Sequence, residues 1–207
     1  NVELTYRRER NAVFVDFPVT LRKNHVYAVE FHYSGSPAET GRFGGFAFRK
    51  DPAGRHWITT ACQGVGASVW WPNKDQQRDE VEDMRLSVSV PNDLVDASNG
   101  KLLGKTDLGD GYTRYDWRIA YPINSYSVSL NIGAYVHFGD VLDGLSLDFY
   151  ALPEDLDKAK RQFVQAKGMI EAYQKYVGPY PFGKDGYKLI QVPYSGMEHQ
   201  SAVTYGN

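Results

Sequence analysis

Apolar and polar positions alternate with a period of two through many short runs in the first three-quarters of the chain. Around residues 26–33, Val26, Ala28, Glu30 and His32 fall on one side and Tyr27, Val29, Phe31 and Tyr33 on the other. This predicts a strand with the second set as its core face. Ser34, Gly35, Ser36 and Pro37 end the run. Further strands are expected at 12–17, 45–49, 57–60, 85–90, 112–119, 125–137 and 145–150, most of them bounded by Gly, Pro, Asn or Asp. Asp110-Gly111 is a hairpin signal, because glycine accepts the positive φ of a tight turn, and it predicts that 101–107 pairs with 112–117. Many strands with short connections argue for a mainly β chain built as an antiparallel sheet or sandwich.

The period changes at Pro153. Leu156, Ala159, Phe163, Ala166, Ile170, Tyr173 and Val177 recur at spacings of three and four, which places them on one stripe of a helix. Pro153 suits a helix start, and Glu154 and Asp155 complement the positive end of the dipole. Gly178-Pro179 ends the helix, glycine by its left-handed cap and proline by lacking an N–H. A short apolar strand follows at 187–192, closed by Pro193, and leads into Tyr194-Ser195-Gly196-Met197-Glu198-His199-Gln200. The expected domains are therefore 1–152, rich in strands, and 153–207, the beginning of a second domain.

Composition narrows the function classes. The 207 residues are 42% hydrophobic and 23% charged, ordinary globular values. The net charge of −2 supplies no basic field to collect nucleic acid or anionic lipid. The acidic cluster Asp79, Glu80, Glu82 and Asp83 reads as a solvated strand end or turn. Cys62 is the single cysteine, which rules out an intramolecular disulfide and a cysteine-rich metal site. No signal peptide or apolar span of bilayer length is apparent. Because the chain opens at Asn1, a removed export signal is compatible with it, so cytosol and periplasm both stay open.

None of the five histidines, His25, His32, His56, His137 and His199, begins an H-E-x-x-H helix, so metal ligation from within the chain is unsupported. The separation of His25 and His32 puts them on opposite faces of the expected strand. The G-x-S-x-G elbow and glycine-rich phosphate loops are also missing. Glu198 is the notable acid. It follows Ser195, Gly196 and Met197 at a strand end, where small residues let a ligand or another backbone approach; by itself such an acid reads as a cap or a surface residue.

Two stretches carry a family resemblance. One is Tyr176-Val177-Gly178-Pro179-Tyr180-Pro181-Phe182, then 189–193, then Tyr194 to His199. The other is Ala61-Cys62-Gln63 followed by Trp70-Trp71-Pro72-Asn73-Lys74-Asp75. In order and spacing they resemble the leading helix, Y-P turn, first catalytic-domain strand and G-x-M-E-N motif, and the Q-x-Q…W-F-P-C-x-D segment, of zinc metallopeptidases of the aminopeptidase N and leukotriene hydrolase family.

The resemblance implies a saddle-like β-domain followed by the start of a thermolysin-like α+β catalytic domain. It implies that Glu198 pairs with the protonated α-amine of a peptide substrate, that Gln63 also holds the amine or first side chain, and that backbone at Ser195, Gly196 and Met197 lines the substrate's path. Trp70, Trp71 and Pro72 are expected as scaffold. Ser195 and His199 depart from the commonest form of the motif, and a structural hydrogen bond is expected for His199. Zinc and its ligands are expected beyond Asn207, with the remaining catalytic and C-terminal domains of the same chain. The fragment itself is therefore expected to be inactive and zinc-free, with incomplete packing near Phe163, Tyr173 and 187–192. A peptide-binding scaffold that has lost the zinc motif is the alternative; a carbohydrate-binding sandwich is a third, suggested by fifteen tyrosines, ten phenylalanines and four tryptophans.

Overall fold

The computed structural model describes residues 2–37, 39, 43 and 45–206; Asn1 and Asn207, the outer limits of the two expected domains, lie outside them. The chain divides into two compact units, Asn1–Ser34 and Gly35–Asn207.

The first unit is a hairpin of β1 (Thr5–Glu9) and β2 (Ala12–Asp16), antiparallel, with Glu9 opposite Ala12. Arg10 and Asn11 turn it at φ 48 and 67, the two positive angles that match a hairpin turn to strand twist. Arg7 lies over the Phe14 ring at 4.4 Å. The strand expected at 26–33 does not form: this stretch has no regular structure, and Tyr27, Val29, Phe31 and Tyr33 are exposed. Alternation alone stabilises no strand, and no neighbour among the described residues offers this one a ladder. The Tyr27 hydroxyl instead accepts a bond from Arg22 N at 2.8 Å.

The second unit holds the remaining strands: β3 (Gly45–Lys50), β4 (His56–Ala61), β5 (Met84–Pro91), β6 (Val95–Asp96), β7 (Lys101–Asp107), β8 (Tyr112–Ile119), β9 (Asn131–Gly133), β10 (Val136–Leu142), β11 (Leu145–Ala151), β12 (Tyr187–Gln191), β13 (Gly196–Met197) and β14 (Val203–Tyr205). They form three sheets, ordered β3-β4-β9-β6, β5-β8-β7 and β10-β11-β12-β14-β13. The chain is mainly β, as the alternation predicts. The 101–107 hairpin also forms: Asp107 faces Thr113, Leu108 N bonds Tyr112 O at 2.9 Å, and Gly109 and Gly111 take the positive angles.

Two expected elements break up. The run 125–137 is a 3-10 turn at Ser125–Ser127, then β9 and the start of β10. Its serines and asparagines (Ser125, Ser127, Ser129, Asn131) are buried, and such side chains compete with the ladder for backbone partners. The helical stripe becomes a 3-10 turn at Pro153–Asp155, α1 (Leu156–Phe163) and α2 (Gln165–Tyr176), separated at Val164. Gly178 caps α2 at φ 125, its N–H reaching Tyr173 O at 3.2 Å.

These helices cross from β11 to β12, which pair in parallel from Leu147–Tyr187 to Tyr150–Ile190, so one sheet joins strands from before and after Pro153. Ala159, Phe163, Ala166 and Ile170 pack against that sheet's Leu147, Phe149, Ala151 and Leu189. A second core under the other sheets gathers Trp57, Trp117, Tyr135, Leu152 and Ile190. Trp70 and Trp71 pack on a third, around Ile119, Ile123 and Val128, as scaffold residues would. The expectation of incomplete packing holds in part: Phe163 and Ile190 are buried, at 3% and 0%, while Val164, at 60%, and Tyr173, at 63%, are exposed and Tyr187 is half-buried.

The helical stripe thus has a buried half and a bare half. Phe163→Ala should lower unfolding free energy by roughly 3 kcal/mol, the cost of emptying an aromatic site in a core. Tyr173→Ala should stay within about 0.5 kcal/mol, as for a surface change. Urea unfolding of both variants checks the contrast.

Candidate functional site

Three segments distant in sequence meet at one carboxylate. β4 delivers Gln63 two residues past its end, the 3-10 turn delivers Tyr126, and β13 delivers Glu198 one residue past its end. Glu198 Oε1 accepts from the Tyr126 hydroxyl at 3.0 Å and from Gln63 Nε2 at 3.4 Å. Gln63 and Glu198, both expected site residues, stand 135 positions apart in the chain, and the fold brings them together. Tyr126 was not foreseen, since the sequence placed it in a strand. The available signal was Asn124, whose side chain accepts from Tyr126 N at 3.3 Å and turns the chain locally.

A buried polar frame fixes the three segments. Asn99, 0% exposed, donates through Nδ2 to Ser127 O at 2.9 Å and to Gln200 O at 2.7 Å, and its Oδ1 accepts from Ser129 N at 2.7 Å. One amide therefore ties the Tyr126 turn to the Glu198 segment. Ser201 Oγ accepts from Gly100 N at 2.9 Å. Gly100 itself has φ +79, and a Cβ there would strike Arg118 O. The Gln63 side is held by Tyr194, whose hydroxyl donates to Thr60 O at 3.2 Å and lies 3.1 Å from Thr204 Oγ1.

Around Glu198 the other expected residues differ in burial. Ser195 is exposed, Gly196 half-buried and Met197 buried. Met197 N donates to Thr204 Oγ1 at 2.8 Å. Gly196 has φ +103, and a side chain there would collide with Thr204 O, so glycine is what lets β13 lie against β14. His199 is fully buried, and neither ring nitrogen has a hydrogen-bond partner among the described residues; the structural hydrogen bond expected for it is not formed.

Burial pushes the His199 imidazole down to about 4, with the charge of Glu198 opposing, so it is neutral beside the acid. Burial, then the bond and charge of Glu198, raise the Tyr126 phenol, which stays a proton donor. Behind the site, burial brings Lys188 down to about 8 against the pull of Asp148 and Asp185. Its ammonium donates to Gly100 O and to Asp185 O at 3.3 Å. Among the described residues no cluster of three or more His, Cys, Asp or Glu side chains could hold a metal ion.

Two outcomes follow. Asn99→Ala strands a buried carbonyl, a part-buried one and a buried N–H, and should cost roughly 2–4 kcal/mol in urea unfolding. For His199 the depressed value means that the unfolded chain takes up a proton first. Its contribution is complete above the ordinary value of 6.5 and is lost as pH falls toward about 4. The drop in stability across that window should be smaller in His199→Gln than in the natural chain.

No protein-family model matches this sequence. Among the described residues no helix is long and apolar enough to cross a membrane. The chain is 26% identical over 181 residues to "Probable aminopeptidase 2" of Sulfurisphaera tokodaii, a match that covers 86% of this chain and 22% of that protein. The chain thus spans about a fifth of that relative's length, and over most of its own length it is similar to a probable aminopeptidase.

Proposed function

We propose that this chain supplies the substrate-amine end of a zinc-dependent aminopeptidase, with Glu198 as the anion that pairs with a peptide's protonated α-amine. The observation that carries this reading is the meeting of Gln63 and Glu198, two residues from separate motifs whose joint use the family resemblance implies. The similarity to a probable aminopeptidase supports the same class.

The chemistry is direct. An ammonium leaving water needs an anionic, hydrogen-bonding partner, and a substrate with a blocked terminus leaves that anion unpaired. Two donors already orient Glu198, so little motion is required when the amine arrives. Peptide would run past Ser195, Gly196 and Met197 from this anchor. In this reading the strand-rich part to residue 152 and the part from 153 onward are the β-domain and the opening of the catalytic domain. Hydrolysis and its zinc belong to the remainder of the polypeptide, where a Lewis acid would polarise the scissile carbonyl.

The test is the whole polypeptide assayed on an amino-acid amide. Glu198→Ala should lower kcat/KM by roughly 10- to 100-fold, as expected for losing a charge-assisted contact, and should shrink the preference over the N-acetylated substrate. Unchanged kcat/KM would remove Glu198 from amine recognition, whereas a polypeptide that holds peptides without zinc or turnover would favour a binding scaffold instead.

A further inference from the structure

The outward face of the β5-β8-β7 sheet carries a charge conflict. Arg85 stands directly opposite Arg118, and Lys101 stands opposite Arg118 from the other side, so three cations form one row across three strands. Like charges directly opposite destabilise a sheet. Arg118 is answered by Asp83 at 2.9 Å, whereas Arg85 and Lys101 have no acidic partner among the described residues. A bulge between Leu102 and Gly104 creates the row. With strict alternation Lys101 and Thr106 would face opposite sides. The extra residue instead sets Lys101 beside Arg118 and Thr106 beside Arg114, while Leu102 still packs on the core.

The same face has room for a ligand. Arg85, Ser87, Leu103, Gly104, Arg114 and Asp116 line an open cavity of about 340 Å³. Arg114 meets Asp116 through Nε alone, at 3.1 Å, so the rest of its guanidinium fork is left for a carboxylate. Asp116 also accepts from Ser87 Oγ at 2.6 Å; that bond first, then Arg114, holds its carboxyl below the ordinary range against burial, and it stays charged. Along β8, Arg114 and Arg118 are four residues apart with Asp116 midway, a distance of about 13 Å in a strand.

We propose that this face binds an acidic stretch of extended peptide, with two carboxylates four residues apart and a neutral residue midway. One acid meets the row of Arg85, Arg118 and Lys101, the other meets Arg114, and the neutral residue lies over Asp116. An extended ligand repeats the same spacing as the strand beneath it. A conflict kept in a sheet with nothing local to relieve it is the mark of a site that its ligand completes.

Charge also limits the size of the partner. The chain has a net charge of −2, and the acidic run Asp79, Glu80, Glu82 and Asp83 directly precedes β5 and borders the row where Asp83 meets Arg118. A long polyanion would extend over like charge; a short acidic segment meets the cations alone.

The experiment is a fluorescence-anisotropy titration of the full chain at low salt, where exposed charges are least screened. The peptides are N-acetylated and labelled at the C-terminus, so binding is independent of any free amine at Glu198. Acetyl-Glu-Thr-Thr-Thr-Glu should bind about three- to fivefold more tightly than acetyl-Thr-Glu-Glu-Thr-Thr, which has the same charge at the wrong spacing. Acetyl-Gln-Thr-Thr-Thr-Gln should not bind. Arg85→Ala and Lys101→Ala should each weaken the first peptide about three- to fivefold. Their urea midpoints should be unchanged or higher, because each relieves repulsion in the row.

Equal affinity for the two spacings, or unchanged affinity in both variants, overturns the proposal. Tighter binding of a five-nucleotide oligothymidylate than of any peptide overturns it as well, and makes the face a phosphate surface. A lowered urea midpoint in either variant shows that the cations serve the fold, and the proposal falls in that case too.

Discussion

The Asn99 side chain is the constraint on which the candidate site depends. A buried amide must find partners for both its donor and its acceptor groups, since leaving one unmet costs more than an ordinary hydrogen bond returns. Asn99 finds them on Ser127, Ser129 and Gln200, backbone groups of the two segments that present Tyr126 and Glu198. Those three bonds together hold the two segments in one relative placement. The next residue, Gly100, donates to Ser201 and accepts from Lys188, so the same short stretch also secures the strand behind the site.

Chemistry in this part of the molecule is layered. The groups that face solvent, Gln63 and Glu198, are exposed, and Tyr126 is half-buried, while the groups beneath them are polar and buried. Asp96 is pushed up to about 7 by burial, against the bonds of Trp117 and Ser98. Its carboxylate accepts from Trp117 Nε1 at 2.8 Å, and Lys188 Nζ lies over that indole, 5.5 Å from the ring centroid. A buried acid and a buried base thus share one aromatic spacer. Such groups add little net stability, because desolvation offsets their attraction, but they restrict how the sheets can pack.

Much of the fold was legible because strand alternation and turn residues are local signals. The hairpin at 101–119 and the strands from 45 to 90 needed only neighbouring residues to be read. The stretch 26–33 shows the limit: its alternation is as clean as any, yet a strand also needs a partner, which local sequence does not specify. The run 125–137 failed differently, through buried serines and asparagines whose backbone bonding interrupts the ladder. For the candidate site, the motifs singled out Glu198 and Gln63, and the fold brings the two together. Tyr126 was not, since its role comes only from being carried to Glu198 by the Asn99 frame. His199 was misjudged because the sequence shows adjacency to an acid but not the depth of burial.

The wide spacing of Gln63, Tyr126 and Glu198 has a kinetic consequence. Contacts between residues so far apart close large loops, and chains that rely on them fold more slowly than chains built from neighbours. No single hairpin or helix contains even two of the three groups, so a partly folded chain holding any one sheet has not brought them together. The meeting of the three groups would therefore emerge with the last docking of segments rather than grow in proportion to folded structure, making its arrival a clock for completed folding.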